Sequence, residues 1–183
     1  SDICCTSGNA VEVVESLGVD RVIFLPDEFL AKNVADRTGV GIIPWRGRCE
    51  VHERFTPADI ATLRRDHPGI VVLAHPECDR PVVEAADYAG STAGMTRYVA
   101  ERKPAQVALI TECSMSDNVA IANPDVEFVK PCNLCPHMKR ITLPKIRRAL
   151  ETMTFEVTVP PDVAARARLA VERMVAVGRK GAA

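Results

Sequence analysis

Short, continuous runs of apolar residues recur along the chain and are separated by stretches with helical periodicity. The runs are rich in Val and Ile and lack polar alternation, which is typical of strands buried on both faces of a parallel sheet. They are RVIFLP, VGIIPW, IVVLAHP, VALITE and VEFVKP, at residues 21–26, 40–45, 70–76, 107–112 and 126–131. The alternation predicts an α/β fold with Rossmann-like layers.

The stretches between and after these runs predict helices. The helices expected from the periodicity span residues 8–17, 28–37, 57–66, 94–103, 114–122 and 143–152. Beyond them, TFEVTVPP predicts a short strand and a turn. Pro161 suits the first position of a final amphipathic helix over about 162–177.

An internal repeat indicates how the chain is divided. Residues 5–17 and 90–103 each place small hydroxyl residues and a glycine directly before a helix. We therefore expect two pseudo-repeated, Rossmann-like three-layer units, at residues 1–78 and 79–150. A C-terminal strand and helix would occupy residues 151–183.

The composition argues against several classes of protein. The net charge is −1, and the 26% of residues that are charged are of mixed sign, so there is no basic stripe for nucleic acid or for a membrane surface. No apolar run is long enough to span a bilayer, and the first residues lack the layout of a signal peptide. We therefore expect a cytoplasmic protein, in which the seven cysteines are more often free thiols or metal ligands than disulfides.

Polar residues follow the strand predicted at 70–74. His75 and Glu77 come directly after it, on either side of Pro76. Ligands of open α/β sheets bind beyond the carboxyl ends of the strands, so this pair could share general acid and base work. The alternative is a helix-capping turn with a solvated Glu77 and a partly buried His75.

Two groups of hydroxyl and amide residues precede predicted helices. Thr6, Ser7 and Asn9 form one group, and Ser91 and Thr92 form the other. The N–H groups and the positive dipole end of a helix start suit phosphate or carboxylate. The same residue types are also the favoured N-caps of any helix, so simple capping is the alternative.

The Cys-x-x-Cys pair at Cys132 and Cys135 is open to several interpretations. It could be a disulfide, half of a zinc site, a redox dithiol or a ligand platform for another group. Cys49 and His52, in the long polar segment at 45–60, could supply the other half of a zinc site. A zinc-stabilised or thiol-redox α/β protein is therefore one rival, and a non-catalytic α/β module is another.

Seven segments follow one another in a specific order along nearly the whole chain. They are TSGNAVEVV, PDEFLAKNVA, IIPWRGRCEVHERFTPADI, HPEC, STAGM, TECSMSDN and CPHMKRITLPKIRRAL. Together they resemble the quinolinate synthase A family of NAD biosynthesis. The family's fold is three related Rossmann-like domains around a pseudo-threefold axis, which agrees with the repeat noted above.

The resemblance implies an enzyme that condenses iminoaspartate with dihydroxyacetone phosphate to give quinolinate, phosphate and water. It implies a 4Fe–4S cluster held by three cysteines, and L-aspartate oxidase as a possible upstream enzyme. The N-terminal part of the family pattern, with the first cluster cysteine, would lie upstream of Ser1. The chain alone is therefore expected to be incomplete and inactive.

The resemblance also assigns residues to roles. Cys49 and Cys135 would be cluster ligands, whereas no ligand position corresponds to Cys132. His75 and Glu77 would move protons, while the open iron of the cluster acts as a Lewis acid. The residues expected to contact substrate are Ser7, His75, Pro76, Glu77 and Thr92.

Overall fold

The computed structural model describes residues 1–180, with side chains through residue 178. The chain forms two compact units. One comprises residues 6–134, and the other combines residues 1–5 with the segment that begins at residue 135.

The unit of residues 6–134 contains all the described strands and six helices. The strands are β1 (Arg21–Phe24), β2 (Gly41–Pro44), β3 (Val71–Ala74), β4 (Tyr88–Ala89), β5 (Gln106–Ile110) and β6 (Glu127–Val129). The helices are α1 (Ala10–Ser16), α2 (Glu28–Ala35), α3 (Pro57–Asp66), α4 (Arg80–Ala85), α5 (Thr92–Arg102) and α6 (Ser114–Ala122). A 3₁₀ turn, His52–Arg54, precedes α3.

All strand pairs are parallel. β1 pairs with β2 in one sheet, and the other sheet has the order β4-β3-β5-β6. The predicted α/β class with buried parallel strands is confirmed. The number of pseudo-repeats and the division near residue 78 stay predictions, although β3, placed in the first predicted unit, shares a sheet with β5.

The core surrounds the two central strands, β3 and β5. Their side chains are almost completely buried because helices cover both faces of a parallel sheet. Met95 and Val99 of α5 and Val119 of α6 pack in the same hydrophobic group as Leu73 and Leu109. This packing makes the sheet a rigid base for the loops at its carboxyl edge.

The other unit contains a 3₁₀ turn, Met138–Arg140, and the helices α7 (Leu143–Thr152) and α8 (Pro161–Lys180). The predicted final helix is confirmed, and Pro161 is its first residue. The carbonyl of Ala170, a buried residue of α8, accepts the backbone N–H of Cys4 at 3.1 Å. No helix among residues 1–180 is long and apolar enough to cross a membrane.

One local expectation was wrong, and two short elements were not predicted. The strand predicted in TFEVTVPP is absent, and residues 154–160 are irregular. Val157 is 86% exposed, so the alternating valines of this segment have no sheet to pack against. The short elements α4 and β4 were missed because six and two residues are too few for a periodic signal.

The expectation that the cysteines are free thiols or metal ligands was wrong for two of them, because Cys113 and Cys132 form a disulfide. The two residues are 19 positions apart, but they follow the parallel strands β5 and β6 at the same sheet edge. There the N–H of Cys113 donates to the carbonyl of Asn133 at 3.1 Å, and the Cα atoms of the two cysteines are 4.8 Å apart. Sheet topology, which spacing could not reveal, brings them together. Within the described residues, no disulfide is formed by Cys4, Cys5, Cys49, Cys78 or Cys135.

Candidate active site

The carboxyl ends of β3 and β5 bring two polar residues to one edge of the four-stranded sheet. His75 follows β3 and Thr111 follows β5, because the two strands are parallel and neighbours. The backbone N–H of His75 donates to the carbonyl of Ile110 at 3.2 Å, which continues the pairing beyond β3. This is the edge at which open α/β sheets bind ligands.

The loop after β2 carries Cys49 and is held by Asp27, the N-cap of α2. One carboxylate oxygen of Asp27 accepts the N–H of Leu30 at 2.7 Å, and the other accepts the N–H of Cys49 at 3.0 Å. The carbonyl of Gly47 accepts the N–H of Glu28 at 2.8 Å. Burial raises the pKa of Asp27, and this outweighs the lowering of that pKa by its two N–H donors. This carboxylate fixes the backbone of Cys49 relative to α2.

His52 lies on the 3₁₀ turn and stacks on His75. The ring centroids are 4.5 Å apart and the ring planes differ by 13°. Nδ1 of His52 is 3.0 Å from Oε2 of Glu77, an ion-pair distance, although the oxygen lies off the hydrogen-bonding direction of that nitrogen. Nε2 of His52 is 2.9 Å from Oγ1 of Thr111. His52 and His75 are only 7% and 5% exposed, so both rings work in a largely dry environment.

The surroundings of Nδ1 differ between the two rings. The backbone N–H of Glu77 donates to Nδ1 of His75 at 3.3 Å, so the ring proton of a neutral His75 belongs on Nε2. That nitrogen lies 3.2 Å from Oγ of Ser7. In His52 the carboxylate of Glu77 faces Nδ1 and favours a proton there. A proton on Nδ1 of His52 thus faces Glu77, whereas Nδ1 of His75 accepts the N–H of Glu77.

Burial and neighbouring charge separate the pKa values of these groups. Burial lowers the pKa of His52, but the contacts with Cys49 and Glu77 outweigh it and raise that pKa to about 9. Burial and the charge of His52 lower the pKa of His75 to about 4. The contact with His52 lowers the pKa of Glu77 against the effect of burial. Near neutral pH, the site combines a cationic His52, a neutral His75 and an ionised Glu77.

Three of the side chains could share a metal. Cys49, His52 and Glu77 each offer one ligand atom, and these atoms all lie within 4.8 Å of one another. The neighbouring His52 ring lowers the pKa of the Cys49 thiol, and this outweighs the opposite effect of burial. This favours the thiolate, the form that binds metals, and soft thiolates suit iron–sulfur clusters. Cys49 therefore fits an iron–sulfur cluster by its donor chemistry.

Cys135 belongs to the other unit and has its own N–H···S contact. Its Sγ accepts the backbone N–H of Met138 at 3.5 Å, at the start of the 3₁₀ turn. Hydrogen bonds of this kind to cysteine sulfur tune iron–sulfur clusters. Cys135 thus also suits a cluster ligand by its chemistry.

The two predicted hydroxyl segments are neighbours. A Cβ atom placed on Gly8 would lie 3.2 Å from Oγ of Ser91, so the segment with Ser7 approaches the start of α5. Ser91 caps α5 through its own hydroxyl group. Thr92, the first residue of that helix, is exposed and open to a ligand.

The structure brings together Ser7, His75 and Glu77, three residues that the resemblance implies at the site, and adds contacts of Cys49 and Glu77 with His52. Pro76 is buried, and its carbonyl accepts a hydrogen bond from Nδ2 of Asn33 at 2.8 Å, which fixes the turn between His75 and Glu77. The roles of these residues stay predictions.

Sequence reasoning missed His52 and Thr111 as members of this group. His52 was weighed only as half of a zinc site, and Thr111 was not considered. Thr111 directly follows β5, so the rule that selected His75 after β3 could also have selected it.

The family model described as "Quinolinate synthetase A protein" matches residues 1–176. The chain belongs to the quinolinate synthetase A protein family. It is 67% identical to "Quinolinate synthase 2" of Mesorhizobium japonicum over 97% of the chain and 55% of that protein. It is also 67% identical to "Quinolinate synthase" of Agrobacterium fabrum, over 97% of the chain and 51% of that relative.

A third member of the family, "Quinolinate synthase" of Xylella fastidiosa, is 63% identical over 97% of the chain and 52% of its own length. The chain thus spans about half the length of the curated relatives it matches. The resemblance seen in the sequence motifs is confirmed at the level of the family.

Proposed function

We propose that this chain supplies part of a quinolinate synthase that joins iminoaspartate to dihydroxyacetone phosphate. The observation that carries the proposal is the contact group of Cys49, His52, His75 and Glu77 at the carboxyl edge of a parallel sheet, in a chain of this family. It combines a thiolate donor, a carboxylate and a neutral imidazole in one mostly buried site.

Cys49 and Cys135 would hold a 4Fe–4S cluster, with a third cysteine supplied from outside this chain. When bound, a cluster with three cysteine ligands leaves one iron open, which acts as a Lewis acid during dehydration. The donor chemistry of the two thiols supports this assignment.

Glu77 and His75 would move the protons. The lowered pKa of Glu77 keeps its carboxylate ionised and ready to accept a proton at Oε2. The neutral ring of His75 carries its proton on Nε2, next to Oγ of Ser7, and can donate a hydrogen bond from it to substrate oxygen as charge develops there. Because both groups belong to one turn, they can act on the same condensed intermediate.

Ser7 and Thr92 would bind the anionic groups of the substrates. Thr92 begins an 11-residue helix, whose positive end favours phosphate or carboxylate. Ser7 joins this region to His75 through its hydroxyl group. The buried Pro76 would shape the floor of the substrate site. Iminoaspartate would be supplied by an L-aspartate oxidase.

The experiment uses a completed protein, in which the upstream part of the Mesorhizobium japonicum relative is joined to this chain. Cluster content is measured after anaerobic reconstitution, as iron and sulfide per chain and as absorbance near 400 nm. We expect Cys49→Ala and Cys135→Ala to lose the cluster and Cys132→Ser to retain it, because a methyl group cannot replace a thiolate ligand. Retention of the cluster in Cys49→Ala, or its loss in Cys132→Ser, would contradict the ligand assignment.

A lone divalent metal is the second candidate for this site. Its support is the spacing of the donor atoms of Cys49, His52 and Glu77, three ligand types that zinc accepts. The Cys113–Cys132 disulfide removes Cys132 from the zinc or dithiol site that the sequence had allowed with Cys135. One zinc per colourless chain, lost in His52→Ala, would favour this candidate over the cluster.

A further inference from the structure

We propose that His52 is a positioning residue that fixes the Glu77 carboxylate and the His75 ring in their reactive orientations. The inference rests on the proposed function, because it assigns the orientation of the two groups that would move protons. It adds a residue that is neither a proposed cluster ligand nor a proposed acid or base.

The contacts of His52 reach both groups at once. Nδ1 lies 3.0 Å from Oε2 of Glu77, and the flat face of the ring stacks on His75 at 4.5 Å. The remaining ring nitrogen, Nε2, lies 2.9 Å from Oγ1 of Thr111, a residue that is 3% exposed. His52 is thus held by the end of β5 and contacts the turn that follows β3.

Glu77 needs such a support more than His75 does. Its side chain is 27% exposed and has several rotatable bonds, so without a partner it would sample many rotamers. His75 is already held by Ser7 and by the backbone N–H of Glu77, and stacking restricts the remaining rotation of its ring. Loss of such supporting contacts typically reduces activity about 10–100-fold.

Two substitutions test the contacts of the two His52 ring nitrogens separately. Asn places an amide near the position of Nδ1 and can still reach Glu77, whereas Gln places one near Nε2 and can reach only Thr111. Both remove the stacking ring. A difference between His52→Asn and His52→Gln therefore measures the contact with Glu77 rather than the loss of an aromatic core residue.

We measure kcat, KM and cluster content for quinolinate formation in the completed protein. We expect kcat of His52→Gln to fall about 10–100-fold with little change in KM, and His52→Asn to fall clearly less. Thr111→Val should also lower kcat, because it removes the hydrogen-bond partner of Nε2 of His52. His67→Asn is the matched control, since His67 ends α3 outside this group, and it should match the parent protein.

A double-mutant cycle with Glu77→Gln tests whether His52 acts through Glu77. If it does, adding His52→Gln to Glu77→Gln costs much less than it costs in the parent protein. Additive losses, equal losses in His52→Asn and His52→Gln, or a kcat of His52→Gln within twofold of the parent would each overturn the proposal. An inactive parent protein would instead count against the proposed function.

An NMR measurement, which needs no catalytic activity, tests the positioning role of His52 if the parent protein is inactive. Long-range ¹⁵N–¹H NMR spectra of histidine-labelled protein report the tautomer of each ring. We expect His75 to show a single Nε2–H tautomer in the parent protein and in His67→Asn, and a mixture in His52→Gln. An unchanged His75 signal in His52→Gln would overturn the orienting role for that ring.

Discussion

At the scale of single residues, Asp27 links the start of α2 to the loop that carries Cys49. We expect Asp27→Ala to lower the free energy of unfolding by about 1–2 kcal/mol, because the helix loses its cap and a second backbone N–H loses its acceptor. Urea unfolding measures this change. The exposed Asp125 provides the control, and Asp125→Ala should stay within about 0.5 kcal/mol of the parent chain. Equal effects of the two substitutions would contradict the bridging role.

The environment of Cys78 predicts that its thiol is unreactive in the native chain. It is completely buried, and burial raises the pKa of its thiol to about 12, so at neutral pH it stays protonated. We expect iodoacetamide to alkylate it last among the five cysteines outside the Cys113–Cys132 disulfide of the native chain, and promptly after unfolding in urea. Peptide mass spectrometry follows each site. Alkylation of native Cys78 as fast as that of the half-buried Cys4 would show that the core is open there.

At the scale of elements, the loop after β2 depends on a close backbone approach. A Cβ atom on Gly47 would lie 2.4 Å from the carbonyl oxygen of Pro26, so a side chain forces the loop away from the residues before α2. We expect Gly47→Ala to cost about 1–3 kcal/mol of stability, as overpacking typically does. It should also reduce cluster retention in the completed protein, because Cys49 follows two residues later.

Gly39→Ala is the matched control, since a Cβ atom there meets nothing within 4 Å. Urea unfolding and iron content should distinguish the two alanine variants. If Gly47→Ala were as stable and as rich in iron as Gly39→Ala, the tight approach would have no structural role.

The Cys113–Cys132 disulfide ties together the ends of β5 and β6. Closing a loop with a sequence separation of 19 residues is expected to add about 3 kcal/mol by restricting the unfolded chain. Cys132→Ser should therefore lower the urea midpoint under non-reducing conditions, and the difference should largely disappear in dithiothreitol. Identical midpoints without reductant would mean that the bond does not form or does not stabilise the chain.

The elements also show where sequence reasoning worked. The long helices and central strands were predicted because their periodicity is strong, and β3 and β5 are buried on both faces as their apolar runs indicated. The polar turn His75–Glu77 was selected because it directly follows the apolar run of β3. The Cys113–Cys132 bond and the stacking of His52 on His75 were not predicted, because they depend on which strands are neighbours.

At the scale of the whole molecule, the chain spans about half the length of its curated relatives. It supplies two of the proposed cluster cysteines and both residues of the proposed acid–base turn, His75 and Glu77. The sequence could point to Cys49 and Cys135 only through family resemblance, because ligands so far apart leave no local spacing pattern. Because the third proposed cluster cysteine would come from outside this chain, we expect residues 1–183 alone to make no quinolinate.

The central claim is that the turn after β3 performs the proton transfers of quinolinate formation. The most direct measurement is quinolinate production by the completed protein and its Glu77→Gln variant, from enzymatically generated iminoaspartate and dihydroxyacetone phosphate under anaerobic conditions. Gln keeps the shape of Glu77 but cannot accept the proton, so we predict that turnover falls about 10²–10⁴-fold while cluster content is unchanged. Near-normal turnover in Glu77→Gln, with the cluster intact, would contradict the claim.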